Sequence, residues 1–320
     1  MLTLARWLAR WPLWLLHMIG GWLGWAVYAL APAYRRRFRD HARAAGVPAT
    51  AARRAVAEAG RLVAELPRLW LYDASDGPVP FATGETGGRP PEHRPLPASV
   101  EWHGRALVEA ARGEGRGVLF LTPHLGCFEI TAQAYAQAYG RDGPMTVMYR
   151  PARQHWLRAV QRRARERPGL NAVTASLAGV RQMVRALRRG EAVGLLPDQV
   201  PPQGLGEWVP FFGRPAYTMT LAARLVALTD AVPLLAWGER LPGGRGYRVH
   251  VRPFPDADVL KTGTTTAAAA AVNRAMETLI LECPQQYLWG YHRYKQPRAA
   301  DAETESSGPA DAAGAVGGMR

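Results

Sequence analysis

The amino-acid sequence predicts an α/β fold, a mostly parallel central sheet flanked by helices, with an amino-terminal hydrophobic membrane helix. Three observations predict it. Beyond residue 100, short apolar runs alternate with longer segments of helical periodicity, the pattern of parallel strands joined by crossover helices. From Trp11 to Tyr34 there is no Asp, Glu, Lys or Arg. Hydrophobic residues make up 48% of the 320, enough to bury a substantial core and to argue against global disorder.

The uncharged segment reads "WPLWLLHMIGGWLGWAVYALAPAY". As one helix it would run roughly 36 Å, sufficient to cross a bilayer core. Trp7, Trp11 and Trp14 near one end, with Tyr28 and Tyr34 near the other, suit the two interfaces. "RRRFRDHAR" follows at once and is more basic than the end carrying Arg6 and Arg10, which puts the remainder of the chain in the cytoplasm. Ala29-Leu30-Ala31 has the small-x-small form of a signal-peptide cleavage site, but Pro32 after the cut and the arginines beyond it argue against export. Gly20, Gly21, Gly24 and His17 weaken a spanning helix, so a helix lying in the interface stays open beside one that spans. Residues 1–34 are taken as the anchor.

Residues 40–72 read as an amphipathic helix, with Val56, Leu62, Val63 and Leu66 on one stripe and Pro67 ending or kinking it. Residues 73–99 are rich in Gly and Pro and read as a loop. The alternation follows. "RALVEAARGEG" is predicted helix, "GVLFLTP" a short buried strand and "FEITAQAYAQAYG" a helix closed by Gly140. "MTVMYR" is predicted strand, "RQHWLRAVQRRARER" helix, "LAGVRQMVRALRRG" helix and "AVGLLPDQ" strand. "TMTLAARLVALTD" is helix, "VPLLAWGER" and "YRVHVRPF" are strands, and "TTAAAAAVNRAMETLILE" is the last helix. Residues 299–320 hold almost nothing large and apolar and read as a disordered tail.

The formal charge is +14 with a pI near 10.5, and Lys261 and Lys295 are the only lysines. An arginine-rich surface favours anionic partners, and the guanidinium fork suits phosphate and carboxylate. Nucleic acid is set aside, because no helix-turn-helix, zinc finger or RNA-binding aromatic motif occurs. Two cysteines, Cys127 and Cys283, argue against a disulfide scaffold. No CxxC pair, Cys-His cluster or HExxH motif points to a metal, and no cofactor is implied.

The chemistry concentrates in "LFLTPHLGCFEI", Leu119 to Ile130. Ligands of open α/β sheets bind beyond the carboxyl ends of the strands, where His124 falls. Gly126 keeps the turn open and Glu129 falls in the first turn of the next helix. The His-x4-Glu spacing is common by itself; its place after an apolar strand makes it informative. A bend between the two would bring the carboxylate to one imidazole nitrogen and leave the other to take a proton from a hydroxyl. Cys127 with His124 as its base is a rival arrangement, against which stands the reading of a small buried core thiol. The GxSxG motif of common serine hydrolases is absent.

"GRGVLFLTPHLGCFE" resembles the His-x4-acid motif of glycerolipid acyltransferases, and more narrowly the late acyltransferases of lipid A biosynthesis, the lauroyl/myristoyl transferase family. "VMYRP", "LLPDQ", "VPFFGRPAYT" and "QQYLWGYHRYK" are similar to that family's other blocks, in the same order, so the resemblance runs from the anchor to about residue 298. Cys127-Phe128 stands where the family often has Asn-Trp. The resemblance implies a glycerolipid acyltransferase-like catalytic domain over residues 35–298. It implies acyl transfer from acyl carrier protein thioester to a hydroxyl of an anionic glycolipid, a lipid A precursor, at the cytoplasmic face of the inner membrane. Another glycolipid or a lysophospholipid is the alternative acceptor. His124 is then the general base oriented by Glu129, Asp198 a second polar member of the site, and Arg165 the site arginine, chosen from Arg162, Arg163, Arg165 and Arg167. Gly126, Arg150, Gln199, Phe211 and Phe212 are the expected substrate contacts, the two phenylalanines lining an acyl-chain channel or packing the core. Arg181, Arg185 and Arg188 form one basic helix face for anionic headgroups or an acidic carrier protein, or a plain solvated face.

Overall fold

The structure, a computed structural model, describes residues 2–72, 96–149 and 168–298. The predicted tail at 299–320, most of the predicted loop at 73–99 and the predicted helix "RQHWLRAVQRRARER" lie outside the described residues.

Four helices open the chain: α1 Leu2–Ala9, α2 Leu13–Leu30, α3 Pro32–Ala44 and α4 Ala49–Leu71. The single helix expected over 11–34 is therefore interrupted. Pro12 caps α2 in extended conformation, and Ala31 leaves helical geometry at φ −111, ψ 86. The cause is Pro32, whose ring disfavours a helical conformation in the residue before it. α4 continues through Pro67 to Leu71, so the proline does not end it. The carbonyl that Pro67 leaves without its helical donor belongs to Val63, which is 65% exposed, so water can satisfy it. Val63 thus lies off the buried stripe on which the sequence placed it, and the charged Glu65 and Arg68 lie on it. α2 and α4 meet backbone to backbone. A Cβ added to Gly60 would stand 1.9 Å from the Gly20 carbonyl oxygen, and one on Gly24 would stand 2.3 Å from that of Val56.

The sheet follows: β1 Val100–His103, α5 Arg105–Gly113, β2 Val118–Leu121, α6 Phe128–Tyr139, β3 Met145–Tyr149, β4 Leu170–Thr174, α7 Leu177–Arg188 and β5 Ala192–Leu195. The second half adds β6 Gly206–Phe211, β7 Arg214–Met219, α8 Leu221–Thr229, β8 Val232–Arg240, β9 Tyr247–Pro253, α9 Ala257–Thr262 and α10 Thr265–Glu282. Seven strands form one sheet in the order β1-β9-β8-β2-β5-β3-β4. Every pairing is parallel except the β8–β9 hairpin. β2 is central and wholly buried, because helices cover both faces of the sheet. Val118 and Phe120 join the core beneath α5 and α6, while Leu119 and Leu121 join the core beneath α7, α8 and α10, as strand alternation requires.

Four short strands escaped the periodicity reading: β1, β4, β6 and β7. β6 and β7 form a separate antiparallel hairpin in which Pro210 faces Pro215. A proline has no N–H to give a ladder, so this segment reads poorly as strand, and it does not join the main sheet.

Candidate active site

The site follows from strand register. β2 and β5 are parallel neighbours with Leu121 opposite Leu195. Each chain runs three residues past that pair, one to His124 and the other to Asp198, so the two loops leave the sheet side by side. The Thr122 N–H donates to the Leu195 carbonyl at 3.0 Å and extends the pairing beyond the strands.

Asp198 takes two hydrogen bonds from His124. The His124 backbone N–H donates to Oδ2 at 2.8 Å, and ring Nδ1 stands 2.6 Å from Oδ1. Burial by itself would raise the Asp198 carboxyl; the opposing charge and hydrogen bonds of His124, with the Arg293 guanidinium farther off, outweigh it and hold the group below the ordinary carboxylate range. With Asp198 ionised, Nδ1 carries the proton and Nε2 the lone pair. The Gln199 side-chain amide is 2.9 Å from Nε2 and donates to it. Glu129 is the expected orienting carboxylate; in the structure the carboxylate on Nδ1 is that of Asp198. Glu129 lies in the first turn of α6, half-buried, as predicted from its spacing.

The segment Gln286–Tyr291, part of "QQYLWGYHRYK", clasps both loops. The Gln286 carbonyl accepts from the Gly126 N–H at 3.0 Å, the Leu288 N–H donates to the His124 carbonyl at 3.2 Å, and the Tyr291 hydroxyl accepts from the Val200 N–H at 3.0 Å. Burial, and then the charge of Asp198, push the Tyr287 phenol well above its usual range. Gly126 adopts φ +59, and a Cβ there would stand 2.0 Å from the Gly238 oxygen of β8, so only glycine fits. Its N–H is committed to Gln286, so its role here is to form the turn, where the sequence placed it among substrate contacts.

An apolar slot opens beside the histidine. The Phe128 ring meets His124 edge-on at 4.8 Å, and from there the slot runs between α6 and the sheet past Thr122, Leu195 and Gly194 to Met145, Val147 and Trp102. Phe211 and Phe212 do not line it; they pack with Trp289 and Tyr294 in an aromatic cluster on the other face. Cys127 is fully buried, and its thiol is pushed well above the ordinary range by burial first and Glu65 next, the reverse of what a nucleophile needs. Arg150, Arg162, Arg163, Arg165 and Arg167 lie outside the described residues. Arg181, Arg185 and Arg188 are exposed on one face of α7.

Sequence reasoning missed the Gln286–Tyr291 clasp as part of the site. The block lies more than 160 residues beyond His124, its local pattern carries no sign of the pairing, and the bridge of Leu125 to Tyr287 brings the two together.

A family model described as "Bacterial lipid A biosynthesis acyltransferase" matches residues 82–296, more than half of the chain. Among curated proteins of Escherichia coli (strain K12), the chain is 29% identical to a lipid A biosynthesis palmitoleoyltransferase over 59% of each protein. It is 27% identical to a lipid A biosynthesis lauroyltransferase over 60% of each, and 26% identical to a myristoyltransferase of the same description over 59% of this chain and 57% of the relative. In all three cases the chain spans less than two thirds of the relative's length.

Proposed function

Because the chain belongs to the bacterial lipid A biosynthesis acyltransferase family, we propose that it is an O-acyltransferase that moves a fatty acyl chain from a carrier-protein thioester to a hydroxyl of a lipid A precursor. One observation carries the reading: an imidazole paired to a buried carboxylate packs against Phe128, which lines an apolar slot.

The chemistry follows from the tautomer. Asp198 holds the proton on Nδ1, so Nε2 is the base. In the resting site that lone pair accepts from Gln199; an acceptor hydroxyl takes the place of the amide. Nε2 removes the hydroxyl proton as the oxygen attacks the thioester carbonyl. Asp198 offsets the charge that appears on the ring; at about 4 Å and an effective dielectric near 20, opposite unit charges attract by about 4 kcal/mol. The tetrahedral intermediate then expels the thiolate, which takes the proton back from His124. No acyl-enzyme is formed, in keeping with the suppressed acidity of Cys127. The acyl chain lies in the slot behind Phe128. Arg165 in the undescribed segment, or backbone amides, would bind the oxyanion. Glu129, five residues along the chain from His124, is the second carboxylate of the motif, and the exposed arginines of α7 suit an acidic carrier surface. The arginine cluster after the amino-terminal apolar segment supports a site of action at the cytoplasmic face of the inner membrane.

The test is transfer from labelled acyl carrier protein to a panel of acceptors, resolved by thin-layer chromatography: a lipid A precursor, another glycolipid and a lysophospholipid. Transfer to the lipid A precursor, abolished in His124→Ala, is the expected result. Transfer to another acceptor alone would reassign the substrate, and transfer that survives His124→Ala would remove the base role.

A further inference from the structure

α2 has two unlike faces. One presents Leu13, Leu16, His17, Gly20, Gly21 and Gly24 to the protein. The other leaves Trp14 at 52%, Trp22 at 77% and Leu30 at 83% exposure, and Trp7 of α1 extends the same apolar surface. Exposed arginines border it, Arg6 and Arg10 before it and Arg36 and Arg39 after it. We propose that α2 is an in-plane membrane anchor, seated in one leaflet of an anionic bilayer by its tryptophan face and fixed to the catalytic domain by the other, and that it does not cross the membrane.

Three observations carry this. The first is what holds the inner face. His17 Nε2 lies 2.9 Å from Glu65 Oε2, and Glu65 is fully buried. The same carboxylate takes two hydrogen bonds from Arg240 of β8 and one from the Tyr247 hydroxyl of β9. A spanning α2 would either abandon this network, leaving a buried carboxylate short of a donor, or draw α4 with Glu58, Arg61, Glu65 and Arg68 into hydrocarbon. The glycine contacts along Gly20, Gly24 and Gly60 bind the two helices over the same length.

The second is the spacing of the tryptophans. Trp7, Trp14, Trp22 and Trp25 are spread along the anchor. Tryptophan prefers the headgroup level, so a spanning helix collects it at two ends, whereas an in-plane helix keeps all four at one depth. The third is the arginines, which flank the apolar face at both ends; length does not decide, since an apolar helix of 18 residues suffices to cross a bilayer. The occupant is lipid rather than a second protein because cationic side chains border an apolar face, the complement of anionic headgroups over acyl chains.

This deepens the membrane placement in the proposed function and leaves the chemistry at His124 independent of it. Thr3→Cys and Ala33→Cys place a thiol on either side of α2, while the native cysteines are buried. In right-side-out and inverted membrane vesicles, a membrane-impermeant maleimide is expected to label both positions from the same side. Labelling from opposite sides would overturn the proposal. The purified full chain is also expected to float with phosphatidylcholine vesicles containing phosphatidylglycerol. Trp22→Ser with Trp25→Ser should weaken that partitioning by about tenfold or more, without change in far-UV circular dichroism. Unchanged partitioning, or a soluble dimer that covers the tryptophans and ignores vesicles, would overturn it too. Acyl transfer in detergent, lost or kept with His124→Ala, reports on the chemistry alone.

Discussion

Replacing Asp198 with asparagine preserves volume and removes two things, the second acceptor oxygen and the negative charge. Both His124 donors, the backbone N–H and Nδ1–H, point at the carboxylate, at 2.8 and 2.6 Å. An amide offers one oxygen. If that oxygen keeps the backbone N–H, its NH2 faces Nδ1, which must then be the acceptor. The ring proton moves to Nε2 and the base is lost. The variant also loses the charge opposite the imidazolium, about 4 kcal/mol at an effective dielectric near 20. Together these predict a fall in kcat of about 10³ to 10⁴, or ~4 to 5.5 kcal/mol. KM should stay within about threefold, because Asp198 is only 2% exposed and touches the ring rather than substrate. Initial rates with labelled acyl donor measure the split, and 15N spectra of the His124 ring report the tautomer. The folded carboxyl lies below its ordinary value, so the stability it contributes is present above about pH 4 and lost as pH falls through the folded value. The stability gap between wild type and Asp198→Asn should therefore be widest near neutrality and close in acid. An Asp198→Asn enzyme with more than about a tenth of wild-type kcat, or one impaired only in KM, would refute the reasoning.

Other substitutions probe the neighbouring assignments. Glu129→Gln is expected to lower turnover while leaving the Nδ1 proton of His124 in place; a changed tautomer in its 15N spectrum would return the orienting role to Glu129. A Cβ at Gly194 would stand 3.2 Å from Val147 Cγ1 and 3.4 Å from Met145 Sδ, so Gly194→Val should narrow the slot and shift preference toward shorter acyl donors, read by competition between chain lengths. Glu65→Gln should cost about 3 to 5 kcal/mol by denaturant melting, the penalty for breaking a buried ion pair. Burial alone would raise the Glu65 carboxyl, but Arg240 and His17 bring it down to about 2, so this contribution is complete above about pH 4.5, fades toward pH 2, and should leave the variant less acid-sensitive than wild type. Cys127→Ala should keep kcat within about threefold and cost about 1 kcal/mol of stability, since only a small buried thiol is removed.

Much of the fold was legible because its signals are local. Gly140 caps α6 as its position suggested, and the wholly apolar run Val118–Leu121 could be satisfied only at the middle of a sheet. His124 was legible by the same logic, as the residue left at the end of that run. Its partner was harder. Glu129 is five residues from His124 along the chain and Asp198 is 74, and the choice depends on which strand lies beside β2. Register at β5, 74 residues on, decides it, and no periodicity within either strand carries that information. Glu65 failed differently: on α4 it sits among alanines and leucines where a solvated acid would be expected, and its partner Arg240 is 175 residues away.

That distant pair connects the two halves of the functional reading. Arg240 ends β8, and two residues earlier the Gly238 carbonyl accepts the Cys127 N–H at 2.7 Å. The Arg240 N–H is in turn held by the Gln286 side chain, whose residue clasps Gly126. The packed helices α2 and α4, through Glu65, and the base loop, through Cys127, are thus braced on the same three residues of one strand. The proposed lipid acceptor would arrive from the surface in which α2 is proposed to lie, so the height of His124 above that surface matters. Rigid bracing at Gly238–Arg240 fixes it, and a free spanning helix joined by a linker would not. The Gly24 and Gly60 contacts, which admit no Cβ, act in the same direction: they stabilise an anchor whose angle to the catalytic domain is set by packing and not by the membrane.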